Sequence, residues 1–426
     1  MAVLPLTGAV PASHAMPVAR WRRAAVLALH GLLAAVLFAT LMERGGQIAY
    51  NDGMGWDGAY YAAMTREGLT AGTANTALRP LVPFLNRPAY ALLGNEVAAF
   101  QLMNVLYAAL FAAGLVMMLD AYAARPVARL VFVATAAVSI ATAQMMAFYP
   151  VLIDLGAYAA ITFALVLALR GPGAAAGIAC VLAVLSREFG IAVVAFGLVR
   201  GVRQRAPWRR LLATYAPACA VFVLLRVVIS WADPRDASLE LVTAERLAGN
   251  LRFWQDPLFA GLFLYFFLTV LGGVSLALAS RPGTCVRLLW NEPEWLVFTG
   301  LVLAATALGS ADLWRYLGFL TPAMAALFAR VEAGWSGWRR TVLLTLGVAV
   351  TWLTQRPFGV MDLGRYFAEW FPYYVVIDQL PRGVRPELWP DWGWRFVGVA
   401  ACLLVMSACA DAVIGARRDS APGPLS

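Results

Sequence analysis

Apolar residues in this chain arrive in blocks. The first block, Ala24 to Met42, follows Arg20, Arg22 and Arg23, and further blocks cover 97–119, 130–149, 151–169, 211–231, 257–279, 295–309, 316–331, 341–354 and 396–415. Such runs predict membrane-spanning helices, because ~20 helical residues are needed to cross about 30 Å of hydrocarbon. The first block begins as a secretory leader does, but it is too long and has no small-residue cleavage site, so an uncleaved span is expected. Between 170 and 210 two shorter apolar pieces, Ala174–Leu185 and Ile191–Val199, flank Ser186-Arg187-Glu188-Phe189-Gly190. Each is too short to cross alone with ease. They predict a broken or re-entrant pair with a polar tip, which membranes tolerate only where protein or water covers it. The expected fold class is therefore all-α, a polytopic helical bundle of about 11–12 membrane segments.

Counting the broken pair as two segments puts both termini on one side. Eighteen of the 33 arginines then lie on that side, fourteen lie opposite, and Arg226 falls within a span. The positive-inside rule places the termini in the cytoplasm of a cell whose inner (plasma) membrane the chain crosses several times. Residues 1–19 form a cytoplasmic tail, 20–416 one transmembrane domain, and 417–426 a short disordered tail. Three extracytoplasmic loops follow, 43–96, 232–256 and 355–395. The last carries Trp370-Phe371-Pro372-Tyr373-Tyr374 and Trp389-Pro390-Asp391-Trp392, suited to packing among headgroups or to holding an acceptor.

Composition sharpens this picture. Hydrophobic residues make up 62% of the 426 and charged residues only 13%, too little polar surface for a soluble chain of this length. The net charge of +9 is spread between apolar segments and forms no groove-sized patch, so nucleic acid is not an expected partner. All 33 basic residues are arginine. An anion site must therefore use guanidinium groups, and lysine Schiff-base or lysine general-base chemistry is excluded. The two histidines, His14 and His30, sit in the tail and the first span, which argues against Ser-His or Cys-His nucleophiles and a His-based zinc site. Cys180, Cys219, Cys285, Cys402 and Cys409 lack CxxC spacing and read as small packing residues.

Candidate chemistry lies where charge meets membrane depth. The first long loop opens with Asn51-Asp52-Gly53-Met54-Gly55-Trp56-Asp57-Gly58-Ala59-Tyr60-Tyr61 and continues to Arg79-Pro80-Leu81. Asp57 is placed to cap a short helix and Asp52 to stabilise a turn. Asp154 follows at a membrane end, then Arg187-Glu188 at the broken-pair tip, then Asp312-Leu313-Trp314-Arg315-Tyr316. Five separate segments thus present ionisable groups at one level, on the extracytoplasmic side. Such groups are costly in a membrane and mark a pathway or a site, although Arg187 with Glu188 and Asp312 with Arg315 also suit simple helix-bracing pairs. Chemically, a free carboxylate serves as base toward a hydroxyl, and arginines clamp a departing phosphate.

With Asp52, Trp56-Asp57-Gly58-x-x-Tyr61, Arg79-Pro80-Leu81-x-Pro83, Ser186-Arg187-Glu188 and Asp312-x-x-Arg315-Tyr316 in that order, the chain resembles the membrane-embedded GT-C glycosyltransferase superfamily. The resemblance covers residues 20 to about 330, and it fixes no subfamily. It implies transfer of a sugar from a polyprenyl-phosphate carrier to a glycan, lipid or protein acceptor at the outer face of the membrane, in the cell envelope. In its terms Asp57, with Asp52 second, is the candidate base. Arg187 and Arg315, then Arg79, are candidates for the phosphate. Glu188 and Asp312 orient those arginines or bind sugar hydroxyls, and Asp154 and Tyr61 complete the candidate site. No cofactor or metal is expected, although Asp52 and Asp57 form an acidic pair. Competing readings are a transporter or flippase of a lipid-linked envelope precursor, and a non-catalytic scaffold subunit. The absence of a visible repeat speaks against the transporter, and the shortage of histidine speaks against a membrane O-acyltransferase.

Overall fold

The computed structural model describes residues 17–45, 47–48, 51–55, 57–232, 267–309, 313–335 and 337–354, with a few isolated positions elsewhere. The expected span at 396–415 and the loops 232–256 and 355–395 lie outside these, as do Trp56 and Asp312. Every regular element among the described residues is helical. Three helices are long and apolar enough to cross a membrane: α1 (Pro17–Arg44), α5 (Glu96–Ala121) and α11 (Trp208–Ala232). Their outward faces are greasy, with Leu29, Leu32, Leu102, Leu106, Val223 and Leu224 exposed. No soluble protein leaves such surface wet, so the chain is a multi-pass membrane protein.

The block at 130–149 is broken. Helix α6 (Pro126–Val138) ends at an extended Ser139, a π-helical turn (Ile140–Gln144) follows, and a short α7 (Met145–Phe148) completes the run at 49° to α6. Ser139 sustains the break: its backbone accepts the amides of Ala143 and Gln144, and its hydroxyl accepts the amide of Ala141 while donating to the Val270 carbonyl. The groups that a break frees are thus satisfied inside the protein, as membranes require. After the corner at 149–153, α8 (Asp154–Leu169) begins.

Helices α8, α9 (Ala174–Ser186), α10 (Gly190–Arg203) and α14 (Pro293–Gly309) run alternately up and down. The 170–210 region is therefore two short helices of 13 and 14 residues joined by a polar tip, the broken pair that the chain predicted. At the tip, a Cβ on Gly190 would stand 2.3 Å from the Ala183 carbonyl carbon, so only glycine lets the two backbones close so tightly. Between α11 and α14 the described elements are α12 (Gly273–Ala279) and α13 (Pro282–Asn291). After α14 come α15 (Leu313–Leu317), a 3-10 turn at Gly318–Leu320, α16 (Thr321–Ala333) and α17 (Gly337–Thr354).

The segment 43–96 is folded helical structure. It contains α2 (Asp57–Arg66), α3 (Ala74–Ala77) and α4 (Leu81–Leu93), the last closed by a left-handed Gly94. Thr65 donates to the Pro83 carbonyl at 3.2 Å, tying α2 to α4. Tyr107 donates to Asn86 at 2.8 Å, tying α4 to α5. Asn104 donates to the Pro150 carbonyl at 2.7 Å, tying α5 to the corner before α8. All three bonds are buried, where leaving a polar group unmade is expensive.

Charges at membrane depth do not gather at one end, and that expectation is corrected. A second set sits where α8 and α10 finish and α14 begins. Glu294 is wholly buried and meets Arg200 at 2.9 Å and Arg203 at 2.5 Å. Glu332, also buried, meets Arg340 at 2.9 Å. Arg330 pairs with Glu292 at 2.9 Å, and Tyr122 donates to the same carboxylate at 2.9 Å. Arg129 pairs with Asp120. Several arginines that read as topology signals along the chain thus double as partners for carboxylates on distant helices.

Candidate functional site

At the other end of the bundle, Asp154 opens α8, the tip 186–190 joins α9 to α10, and α15 follows α14. Asp154 is completely buried and is gripped from two sides. Arg187 Nη1 stands 2.5 Å from its Oδ1, and Arg315 Nη2 stands 2.6 Å from its Oδ2. Two guanidinium groups holding the two oxygens of one carboxylate lie within about 7 Å of each other, close enough to address one anion. Arg187 is only 1% exposed, and its planar head lies over the rings of Tyr316 and Phe319, with centroids at 5.1 and 5.8 Å. Phe189 stacks on Phe319 at 4.5 Å and leans on Tyr316 at 5.1 Å. The tip is therefore clasped to the 313–320 segment by aromatic rings and by the shared carboxylate.

A second group adjoins the first. Arg79 is buried and pairs with Glu188 at 2.7 Å, while its Nη1 donates to the Tyr61 hydroxyl at 2.8 Å. Burial alone would raise the Glu188 pKa, but the Arg79 guanidinium against it wins and lowers it to about 2. Burial pushes the Tyr61 hydroxyl up, beyond the opposing pull of Arg79 and Arg187, so it keeps its proton. Having accepted from Arg79, that hydroxyl still has a proton to donate.

The paired residues are not the adjacent ones in sequence. Arg187 does not brace Glu188; it reaches Asp154, and Glu188 reaches Arg79. Arg315 also takes Asp154, and Asp312 lies outside the described residues. Adjacent residues point apart at a tight tip, so each finds a partner on another helix. Three arginines and two carboxylates thus meet at this end of the bundle.

Asp57 stands in the first turn of α2 and is exposed. It lies one helical turn before Tyr61, whose hydroxyl accepts from Arg79, and next to Gly58, whose amide donates to Tyr149. Asp52 is exposed in the preceding turn with φ at 52°. Two tyrosines escaped the sequence reading. The Tyr158 hydroxyl lies 2.6 Å from the Arg315 carbonyl and 2.9 Å from that of Ala141, fixing α15 against the π-helical turn. Tyr149 accepts the Gly58 amide at 2.8 Å. Tyr158 falls one helical turn after Asp154, a spacing that puts both on one face of α8, and that was the available signal.

Comparison with solved structures places the fold. The chain is similar to the crystal structure of ArnT from Cupriavidus metallidurans bound to undecaprenyl phosphate, at 18% identity, covering 91% of this chain and 77% of that one, with a TM-score of 0.51. The apo structure of the same protein is matched at 14% identity, 94% and 78% coverage and a TM-score of 0.45. At 18% identity the likeness speaks to the fold alone, a helical membrane bundle as expected from the chain. No family model and no curated protein matches the chain.

Proposed function

We propose that this protein is a membrane glycosyltransferase that takes a sugar from a polyprenyl-phosphate carrier and delivers it to an acceptor hydroxyl. The observation that carries this reading is the buried knot of Arg79, Arg187 and Arg315 gathered about Asp154 and Glu188. It sits in a fold shared with a protein solved in complex with undecaprenyl phosphate. Buried guanidinium groups gathered in this way favour an anion, and a lipid phosphodiester presents one.

In the proposed mechanism the acceptor is a hydroxyl of a glycan, lipid or protein. Asp57 takes its proton, and the freed oxygen attacks the anomeric carbon. The bond from that carbon to the phosphate oxygen breaks, and the lipid phosphate keeps the electron pair. Arg187 and Arg315, with Arg79, stabilise the charge that develops there. Asp154 and Glu188 hold those guanidinium groups in place before the substrate arrives, so little reorganisation is needed. Tyr61 donates its remaining proton to the donor. Asp312 and Asp52 are proposed to contact sugar hydroxyls. No cofactor enters the scheme. The Asp154 end is proposed to face away from the cytoplasm, with both termini inside and the protein in the inner membrane.

Purified protein incubated with synthetic polyprenyl-phosphate sugars should release polyprenyl phosphate. Asp57→Asn should lower that rate by about 10²-fold or more, the usual worth of a general base, with melting temperature nearly unchanged. Movement of the lipid across vesicles without any sugar transfer would favour the transporter reading. Reporter fusions that put 43–96 in the cytosol would overturn the orientation.

A further inference from the structure

We propose that Tyr149 is the positioning residue for the Asp57 carboxylate, an inference that rests on Asp57 being the base. Among the described residues no hydrogen bond holds the Asp57 side chain itself, so the backbone on either side of it decides where the carboxylate points. That backbone is pinned to the corner that ends the bent span. On entry, the Ile48 amide donates to the Phe148 carbonyl at 2.9 Å. On exit, the Gly58 amide donates to the Tyr149 hydroxyl at 2.8 Å. The amides of the first helical turn have no partner within the helix, and the phenol oxygen satisfies this one in α2.

The ring of Tyr149 also explains two glycines that flank Asp57. A Cβ on Gly55 would come to 2.3 Å from Cζ of Tyr149, and one on Gly58 to 2.8 Å from its Cε2 and 3.0 Å from Cβ of Val151. Gly55 further has φ at +64°, a left-handed conformation that glycine adopts freely. The loop therefore lies flat on the aromatic ring, with Asp57 held between two points of contact. Tyr149 is close enough to Arg315 to feel its charge. One side chain thus sets the distance between the base and the phosphate end of the site, and a misplacement of about 1 Å there costs up to ~10²-fold in rate.

The test compares Tyr149→Phe, Gly58→Ala, Asp57→Asn and the double variant Asp57→Asn with Tyr149→Phe. Turnover is read as polyprenyl phosphate released from a panel of synthetic polyprenyl-phosphate hexoses and pentoses. Binding of polyprenyl phosphate itself counts the competent sites. Tyr149→Phe should lower kcat per competent site about ten-fold while donor KM and polyprenyl phosphate affinity stay as in the parent, and Gly58→Ala should reproduce that split; both should also melt somewhat lower, because one leaves the Gly58 amide without its partner and the other crowds the Tyr149 ring. The double variant should be no slower than Asp57→Asn alone. A Tyr149→Phe protein with full kcat, or one whose loss lies in KM or in site count, overturns the positioning role and leaves the base assignment standing. Full turnover in Asp57→Asn overturns the base assignment and this inference together. Release from no donor overturns the transferase reading itself.

Discussion

The two ends of the bundle each carry a layer of ion pairs, and the layers differ in how far the arginines are sealed in. At the Glu294 end Glu294 and Glu332 are fully covered, whereas their partners Arg200, Arg203 and Arg340 keep 17%, 40% and 17% side-chain exposure. At the Asp154 end the arginines themselves are buried, with Arg187 at 1% and Arg315 at 5% side-chain exposure. An arginine at a rim can turn to water or headgroups when its partner is lost. One sealed inside has no such exit, and its charge must be met by protein or ligand. The first arrangement is a brace between helices, and the second is an electrostatic device suited to an anion.

Removing one carboxylate from each layer gives the widest separation. Asp154→Ala takes from Arg187 and Arg315 the buried carboxylate they share, and thermal or denaturant unfolding in detergent should show a loss of about 3–5 kcal/mol. Glu294→Ala leaves arginines with access to solvent and should cost only about 1 kcal/mol. Equal losses would erase the distinction. Next in size is the effect on ligand. Arg187→Ala should weaken binding of polyprenyl phosphate by about 10-fold or more, the worth of a hydrogen bond to a charged group, because Asp154 keeps Arg315 and the fold survives. Arg200→Ala at the opposite layer should leave that binding unchanged. Gly190→Ala probes the closure that brings the tip residues together. Its Cβ meets Ala183 backbone at 2.3 Å, and overpacking of this kind costs about 1–3 kcal/mol, readable as a lowered melting temperature.

The smallest expected effect is in acid. The Glu188 pKa is lowered to about 2 in the fold, below the ordinary glutamate value of about 4.3 in an unfolded chain. Its contribution to stability is therefore complete above that ordinary value and fades as pH falls toward 2. Glu188→Gln should flatten this part of an acid melting series and leave the range from pH 6 to 8 untouched. A slope between pH 6 and 8 that vanishes in Glu188→Gln would contradict the pairing with Arg79.

Hydropathy by itself located the long spans, because a segment in lipid must satisfy its own backbone and so declares itself in a run of apolar residues. The predicted blocks at 97–119 and 211–231 correspond to α5 and α11, and the tip at Ser186–Gly190 was legible as polar residues interrupting an apolar region. The order of Asp57, Arg79, Arg187 and Arg315 along the chain also pointed to charged groups from separate segments within one helical bundle. Pairing was not legible. Arg187 and Glu188 are neighbours in sequence yet belong to different salt bridges, and Asp154, a lone acid at a helix start, is the hub of two. The break at Ser139 was hidden inside a continuous apolar run, and with it the corner that carries Tyr149. Nor did the chain reveal that Glu294 takes Arg200 and Arg203, which read as topology charge alone. Local sequence sets local structure through short-range backbone demands. Which charges meet is decided by how helices far apart in the chain, 161 residues in the case of Asp154 and Arg315, pack against one another.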